Sequence, residues 1–379
     1  MTTLEGLDPV QRALCLAART SVDGDDCERL IGTLGGPFDW DRLWDLAHLH
    51  EVVPIVAASI GDLQGVDPPA SWRDRATRRR HVTLRVNGHL ADTLREVLDA
   101  FDGMRLEAMP VKGLVLAETL YGDIGARPCA DLDVLVRPAD LPAARAALRA
   151  IGFRQRAVPG YKALVHPFHD PAWARGEGAD HVRLELHWGL WADHEHRLGT
   201  DGLWDRSVTS TLQGRATRML SPEDTLLHLA IHRTRSALRL RWLVDVAELV
   251  RRDGEGLDWP SFVERARGAR ALTASGVVLD LAHRLLAAPV PTATLERLGI
   301  AQPKRAILEL TCGTTALFRQ AADGSMAQQP HLGLRAFEED GLAHIGSSLL
   351  RSALRPLRET LHERGIVRVR PRSPNGASV

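Results

Sequence analysis

The chain has 379 residues, 44% of them hydrophobic and 25% charged, with Lys+Arg and Asp+Glu equal at 48 each. That is an ordinary globular composition, long enough for two or three domains, and its zero net charge argues against a dedicated nucleic-acid binder, which carries a basic excess. No apolar run approaches the ~20 residues that span a bilayer, the four cysteines form no C-x-x-C pair and Met1-Thr2-Thr3-Leu4-Glu5 has no basic n-region, so a reduced, cytoplasmic protein is expected.

Residues from about Asp8 to Phe101 read as helical. Leu43, Leu46, Ala47 and His50 recur at helical spacing, and Val52, Val53, Ile55 and Val56 around Pro54 predict a buried segment. Between Ser71 and Phe101 the pattern predicts a long amphipathic helix with Leu84, Leu90, Leu94, Val97 and Leu98 inward. Its start carries Arg73, Arg75, Arg78, Arg79, Arg80 and His81, a run that suits a solvated face or contact with a phosphate-bearing partner.

Arg105 to Val111 reads as a strand, Leu114 to Tyr121 as a helix, Asp131 to Val136 as a second strand and Pro138 to Ile151 as a helix stopped by Gly152. His181 to Trp188 alternates strictly, with Val182, Leu184, Leu186 and Trp188 on one face and Arg183, Glu185 and His187 on the other. Ser221-Pro222-Glu223-Asp224 is a helix start, with a Ser N-cap, Pro at the first position and acids in the first turn. Helices are predicted at Thr225–Thr234, Leu240–Arg251, Trp259–Ala269 and Ala271–Leu286, then near Ala306–Gln320 and Leu342–His362. The expected fold class is α+β, a small mixed sheet flanked by N-terminal helices and a C-terminal helical bundle. Its divisions are a helical region over 1–103, the core over 104–219, a helical domain over 220–365 and a flexible tail over 366–379.

The chemistry concentrates between Val111 and Val136. Residues i and i+2 of a strand share a face, so Asp131 and Asp133 point the same way. Two carboxylates side by side are costly unless a cation sits between them, and hard oxygen ligands suit Mg²⁺ or Mn²⁺. Just upstream, Lys112-Gly113 lies where a strand turns into a helix, and backbone N–H groups and a Lys there can receive phosphate oxygens. A phosphate cradle beside a metal-carboxylate pair suggests nucleotidyl transfer.

This order of motifs, Lys112-Gly113, Leu120-Tyr121, Arg127 and Asp131-Leu132-Asp133-Val134-Leu135-Val136, resembles the uncharacterised nucleotidyltransferase family of the DNA polymerase β superfamily. The resemblance extends to Ile151-Gly152-Phe153, Leu184-Glu185-Leu186-His187-Trp188, Ser221-Pro222-Glu223-Asp224, His232 and Arg241-Trp242-Leu243-Val244-Asp245, and more weakly to Asp45 through Pro54. It implies a nucleotidyltransferase core that moves a nucleoside monophosphate from an NTP, ATP being the expected one, to a small-molecule or peptide acceptor with release of pyrophosphate. Catalysis in this superfamily needs a third carboxylate on a neighbouring strand, and Glu185 fits by face and order, with Asp180 and Asp193 as substitutes. Asp131, Asp133 and Glu185 are thus the expected catalytic and metal-binding residues, and Lys112, Gly113, Arg127 and His187 the expected cofactor-binding ones. For Arg127 a structural pairing with Asp123 or Asp131 stands beside the pyrophosphate role, and His187 suits acceptor contact, general-base work or a core-edge position.

Two rival classes stay open: a non-catalytic relative that binds nucleotide or a partner, and a metal-dependent hydrolase built on His166, His169, Asp170, His194 and His196. His228 and His232 share a helix face without a third ligand at a matching spacing, which favours structural histidines, and His232 with Asp245 is expected as a buried pair. Trp188, Trp191, Trp204 and Trp242 are expected mainly in the core, with stacking on a nucleobase the alternative. The partners expected are the NTP and its acceptor, without membrane or nucleic acid.

Overall fold

The computed structural model describes residues 4–155, 172–190, 200–235 and 239–300, with 308–309, 313–314 and 316–318. The chain opens with α1 (Pro9–Ala17), α2 (Gly24–Leu34), α3 (Trp40–Leu49), α4 (Val53–Gly61) and the long α5 (Ala70–Gly103). Helix α1 starts at a capping box, in which the Asp8 carboxylate accepts from the backbone N–H groups of Val10 and Gln11. Pro54 falls in the first turn of α4, where its missing N–H costs nothing.

Helix α5 holds 34 residues, so it runs ~51 Å, farther than one small core extends. Its first turns bury Trp72 and Ala76, and its last turns bury Leu90, Leu94, Val97, Leu98 and Phe101. Between them the buried face is polar, carried by Thr83 and Asn87, which corrects the inward placement of Leu84: that residue is 39% exposed, beside exposed Val82 and Val86. Much of the arginine run is paired on the surface, Arg73 with Asp67, Arg75 with Asp41 and over the Trp44 ring, and Arg80 with Asp123.

The mixed α+β architecture is as expected. Strand β1 (Ala108–Val111) leads into α6 (Gly113–Thr119) and back through β2 (Leu132–Val136), followed by α7 (Leu141–Ala150), β3 (Arg154–Gln155), β4 (Trp173–Arg175) and β5 (Val182–His187). The sheet order is β1-β2-β5-β4-β3. The β2–β5 pair is parallel and the others are antiparallel. The register sets Asp133 opposite both Val111 and Glu185. Strand β2, second in the sheet, therefore carries its acid between the last residue of β1 and the middle of β5.

After the sheet come α8 (Asp201–Asp205), the hairpin β6 (Val208–Leu212) and β7 (Arg215–Met219), then α9 (Pro222–Arg235), α10 (Leu240–Asp253), α11 (Trp259–Gly268), α12 (Leu272–Leu286) and α13 (Thr292–Leu298). Ser221 caps α9 by accepting from the Asp224 N–H at 3.2 Å. Of the helix predicted at 306–320 only seven residues are described, and the one at 342–362 and the tail lie outside the described residues.

The described residues form two buried apolar clusters. One buried cluster joins α1 to α4 and the start of α5 with α9 to α13, and it takes in Met109, Val111, Leu116 and Leu135. The other packs the far half of α5 and α7 against β2, β4 and β5, through Phe101, Leu148, Trp173, Leu184 and Leu186. The first and last helical segments thus bury their apolar faces in each other, and β2 lies between the two clusters, with Leu135 in the first and Leu132, Val134 and Val136 in the second.

Candidate active site

The parity of β2 and β5 builds the site. Leu132 and Val134 of β2, like Leu184 and Leu186 of β5, face the second core, which turns Asp131, Asp133, Glu185 and His187 to the other side of the sheet. Asp133 is 7% exposed. A buried carboxylate needs partners, and Asp133 has two on one oxygen: Lys112 Nζ lies 2.9 Å from Oδ1, and His187 Nε2 lies 2.8 Å from it. His187 Nε2 is also 3.7 Å from Glu185 Oε2. Among the described residues, Asp133, Glu185 and His187 offer ligand atoms all within 4.8 Å of one another.

The charges around the two aspartates push them apart. Burial would raise the Asp133 carboxyl, but the Lys112 and His187 contacts outweigh it and hold the group far below the ordinary carboxylate range. Asp131 goes the other way, pushed up to about 6 by burial and then by the negative charges of Asp133 and Glu185. Asp131 thus has less positive charge about it than Asp133. Lys112 and then Arg183 act against that rise, and Arg183, whose Nη2 lies 4.0 Å away, is also paired with Glu185.

The turn before α6 fits closely over this cluster. Lys112 adopts φ 55° and ψ −145°, a region that residues with a Cβ rarely occupy, and Gly113 follows at φ 35°. A Cβ on Gly113 would meet the Asp131 carbonyl at 3.5 Å. That distance is an ordinary contact, so it is the positive φ, not a want of space, that favours glycine there. Lys112 ends on Asp133, at the edge of a cleft between α6, the β6–β7 hairpin and α9–α10, which Val115, Thr119, Ser210, His228 and Arg252 help to line.

Arg127 lies elsewhere. It is 3% exposed, its Nε and Nη2 donate to Asp245 Oδ1 and Oδ2 at 2.7 and 2.8 Å, and its Nη1 donates to the Gly113 carbonyl at 3.3 Å. Asp245 is fully buried and also accepts from the Tyr121 hydroxyl at 2.7 Å. The partner is neither Asp123 nor Asp131, and the oxygens expected to meet His232 are held by Arg127 and Tyr121. His232 packs edge-on against Trp242, with centroids 4.8 Å apart, and stacks with His228 at 5.9 Å. Trp204 is buried under Arg137, Trp188 packs against the second core, and Trp242 lies under Arg241. His166, His169, Asp170, Trp191, Asp193, His194 and His196 lie outside the described residues.

Arg183, which lies beside the acids, was not among the expected site residues. Its signal was present, since it shares the polar face of β5 with Glu185 and His187 and stands two positions upstream of the first.

A family model described as uncharacterised nucleotidyltransferase matches residues 36–287. No curated protein sequence matches the chain. Among solved structures, the solution structure of the antibiotic-resistance factor ANT(2'')-Ia aligns at 16% identity, covering 47% of this chain and 89% of its own, with a TM-score of 0.33.

Proposed function

Since the chain belongs to the uncharacterised nucleotidyltransferase family, we propose that it transfers a nucleoside monophosphate from an NTP, ATP being the expected donor, to a hydroxyl-bearing small molecule or peptide, with Mg²⁺ or Mn²⁺ as cofactor. The observation that carries this reading is the register that sets Asp133 opposite Glu185 with Asp131 two residues upstream. Three acids on one side of a parallel strand pair suit a divalent ion, and the donor set of carboxylate oxygens and one imidazole fits one. Such an ion, when bound, neutralises phosphate oxygens and lowers the barrier to displacement at the α-phosphorus.

The chain's own groups divide the remaining work. Asp133 and Glu185, whose oxygens converge, would hold the cation, with Asp131 two residues upstream of the first completing the set. The acceptor hydroxyl attacks the α-phosphorus, the bond to the β-phosphate oxygen breaks, and pyrophosphate leaves with the electron pair. Glu185 takes the hydroxyl proton. Lys112, already beside the acids, supplies a point charge to the triphosphate. Arg183, 46% exposed at the outer edge of the acids, takes the pyrophosphate-neutralising role, since Arg127 is committed to Asp245. The cleft beside Lys112, largely apolar with Thr119, Ser210 and His228 in its wall, receives the acceptor.

Calorimetry with each NTP tests the reading. Binding is expected with Mg²⁺ or Mn²⁺ and lost in EDTA, because the acids otherwise repel the triphosphate. Equal affinity in both conditions would remove metal-dependent nucleotidyl transfer as the function.

A further inference from the structure

Resting on the metal-dependent reading above, we propose that His187 is itself a ligand of the catalytic cation and makes this site select Mn²⁺ over Mg²⁺. The placement of the ring is the starting point. His187 is the last residue of β5, paired with Leu135, and its Nε2 sits between two carboxylates, 2.8 Å from Asp133 Oδ1 and 3.7 Å from Glu185 Oε2. Metal bonds of ~2.1 Å place neighbouring donors ~3–4 Å apart, and the donors of Asp133, Glu185 and His187 all fall within 4.8 Å of one another.

Charge neutralisation alone does not require the imidazole there. Lys112 Nζ already lies 2.9 Å from the same Asp133 oxygen. The ring is 7% exposed and held by its strand, so its nitrogen is fixed toward the acids at no further ordering cost. The consequence lies in the donor type. Mg²⁺ demands oxygen and near-ideal octahedral geometry, while first-row dications accept imidazole nitrogen readily. Among these, Mn²⁺ also suits the carboxylate and phosphate oxygens that an NTP complex supplies. One nitrogen among two carboxylates therefore shifts the balance toward Mn²⁺.

The test uses the full chain freed of metal with a chelator, then titrated with Mn²⁺ alone and Mg²⁺ alone by calorimetry, with pulsed electron paramagnetic resonance on the Mn²⁺ form. Mn²⁺ is expected to bind at least about tenfold tighter than Mg²⁺ and to show coupling to an imidazole nitrogen. His187→Gln should lower Mn²⁺ affinity by about ten- to a hundredfold, remove the nitrogen coupling and leave Mg²⁺ affinity within about twofold. Should the buried substitution prevent folding, wild type still decides, with Asp133→Asn expected to lose the same nitrogen signal. Equal affinity for the two ions without nitrogen coupling overturns the ligand role and leaves His187 as a hydrogen-bond partner of Asp133, with nucleotidyl transfer intact. Absence of binding by either ion, with or without NTP, removes the reading on which the inference rests.

Discussion

At the scale of single residues, Glu185 has the most to lose from a small change. It faces Asp131 and Asp133 but is also paired with Arg183. Glu185→Gln relieves the like-charge repulsion and at the same time forfeits a half-exposed ion pair, each a modest effect. The two effects oppose, so the melting temperature without metal is expected to stay within ~1–2 °C of wild type, about the shift that 1 kcal/mol produces in a chain of this size. NTP affinity should hold within about threefold, since Asp131, Asp133 and Lys112 remain. Turnover should fall by ~10²–10⁴, because the proton acceptor is gone. A variant that keeps more than a tenth of wild-type turnover would take Glu185 out of the mechanism. Parity alone made these acids legible: alternation in one strand and i, i+2 spacing in the other set their faces before any coordinates. The commitment of Arg127 to Asp245 was not legible in that way. The partner that removes Arg127 from the site is Asp245, 118 positions later, and no local pattern announces a pairing at that distance.

At the scale of elements, the end of α3 is joined to the start of α10 through one histidine. The His50 Nδ1 accepts from the Leu240 N–H at 3.1 Å, and its carbonyl accepts from the Arg241 N–H at 3.3 Å. The ring is 1% exposed, and burial, then the nearby Arg239 charge, depresses its pKa to about 3. The unfolded chain regains a value near ~6.5. Between these values the unfolded state binds a proton that the folded state refuses, so the stabilisation is full above about pH 6.5 and is lost as pH falls toward 3, at ~1.4 kcal/mol per pH unit. His50→Asn keeps an acceptor for Leu240 and removes the titration. Urea midpoints from pH 7 to pH 4.5 should fall less steeply in the variant than in wild type, by the equivalent of one proton. Parallel slopes would place His50 in contact with solvent protons in the folded state. The spacing of Leu43, Leu46, Ala47 and His50 predicts a helix, and α3 is one, but the partner helix was invisible from 190 residues away. Leu84 failed for a related reason: a periodic apolar pattern says which face is apolar, not whether a core lies opposite it along all 34 residues of α5.

At the scale of the whole molecule, the question is what ties the sheet to the helices that close the chain. Apolar packing supplies one answer, since Met109, Val111 and Leu135 join the cluster of α9 to α13. The other is polar and concentrated: Arg127 and Tyr121, from the loop between α6 and β2, both donate to Asp245 on α10, where the carboxylate is fully buried. Burial, then the neighbouring carboxylate charge, pushes the Tyr121 hydroxyl well above its usual range, which keeps it a donor at any pH the fold survives. Removing one member of such a pair strands a buried charge, at a cost of ~3–5 kcal/mol, whereas replacing both by apolar groups of similar volume costs far less. Arg127→Met and Asp245→Leu are each expected to destabilise by that amount in urea unfolding, and the double variant by clearly less than either single change. The Arg127 Nη1 also reaches the Gly113 carbonyl, so the double variant, though folded, should let the Lys112-Gly113 turn shift and raise KM for NTP more than it lowers kcat. Additive destabilisation in the double variant would show that the two side chains act independently. A double variant of wild-type stability and wild-type KM would make the node a tie between sheet and helix with no hold on the turn.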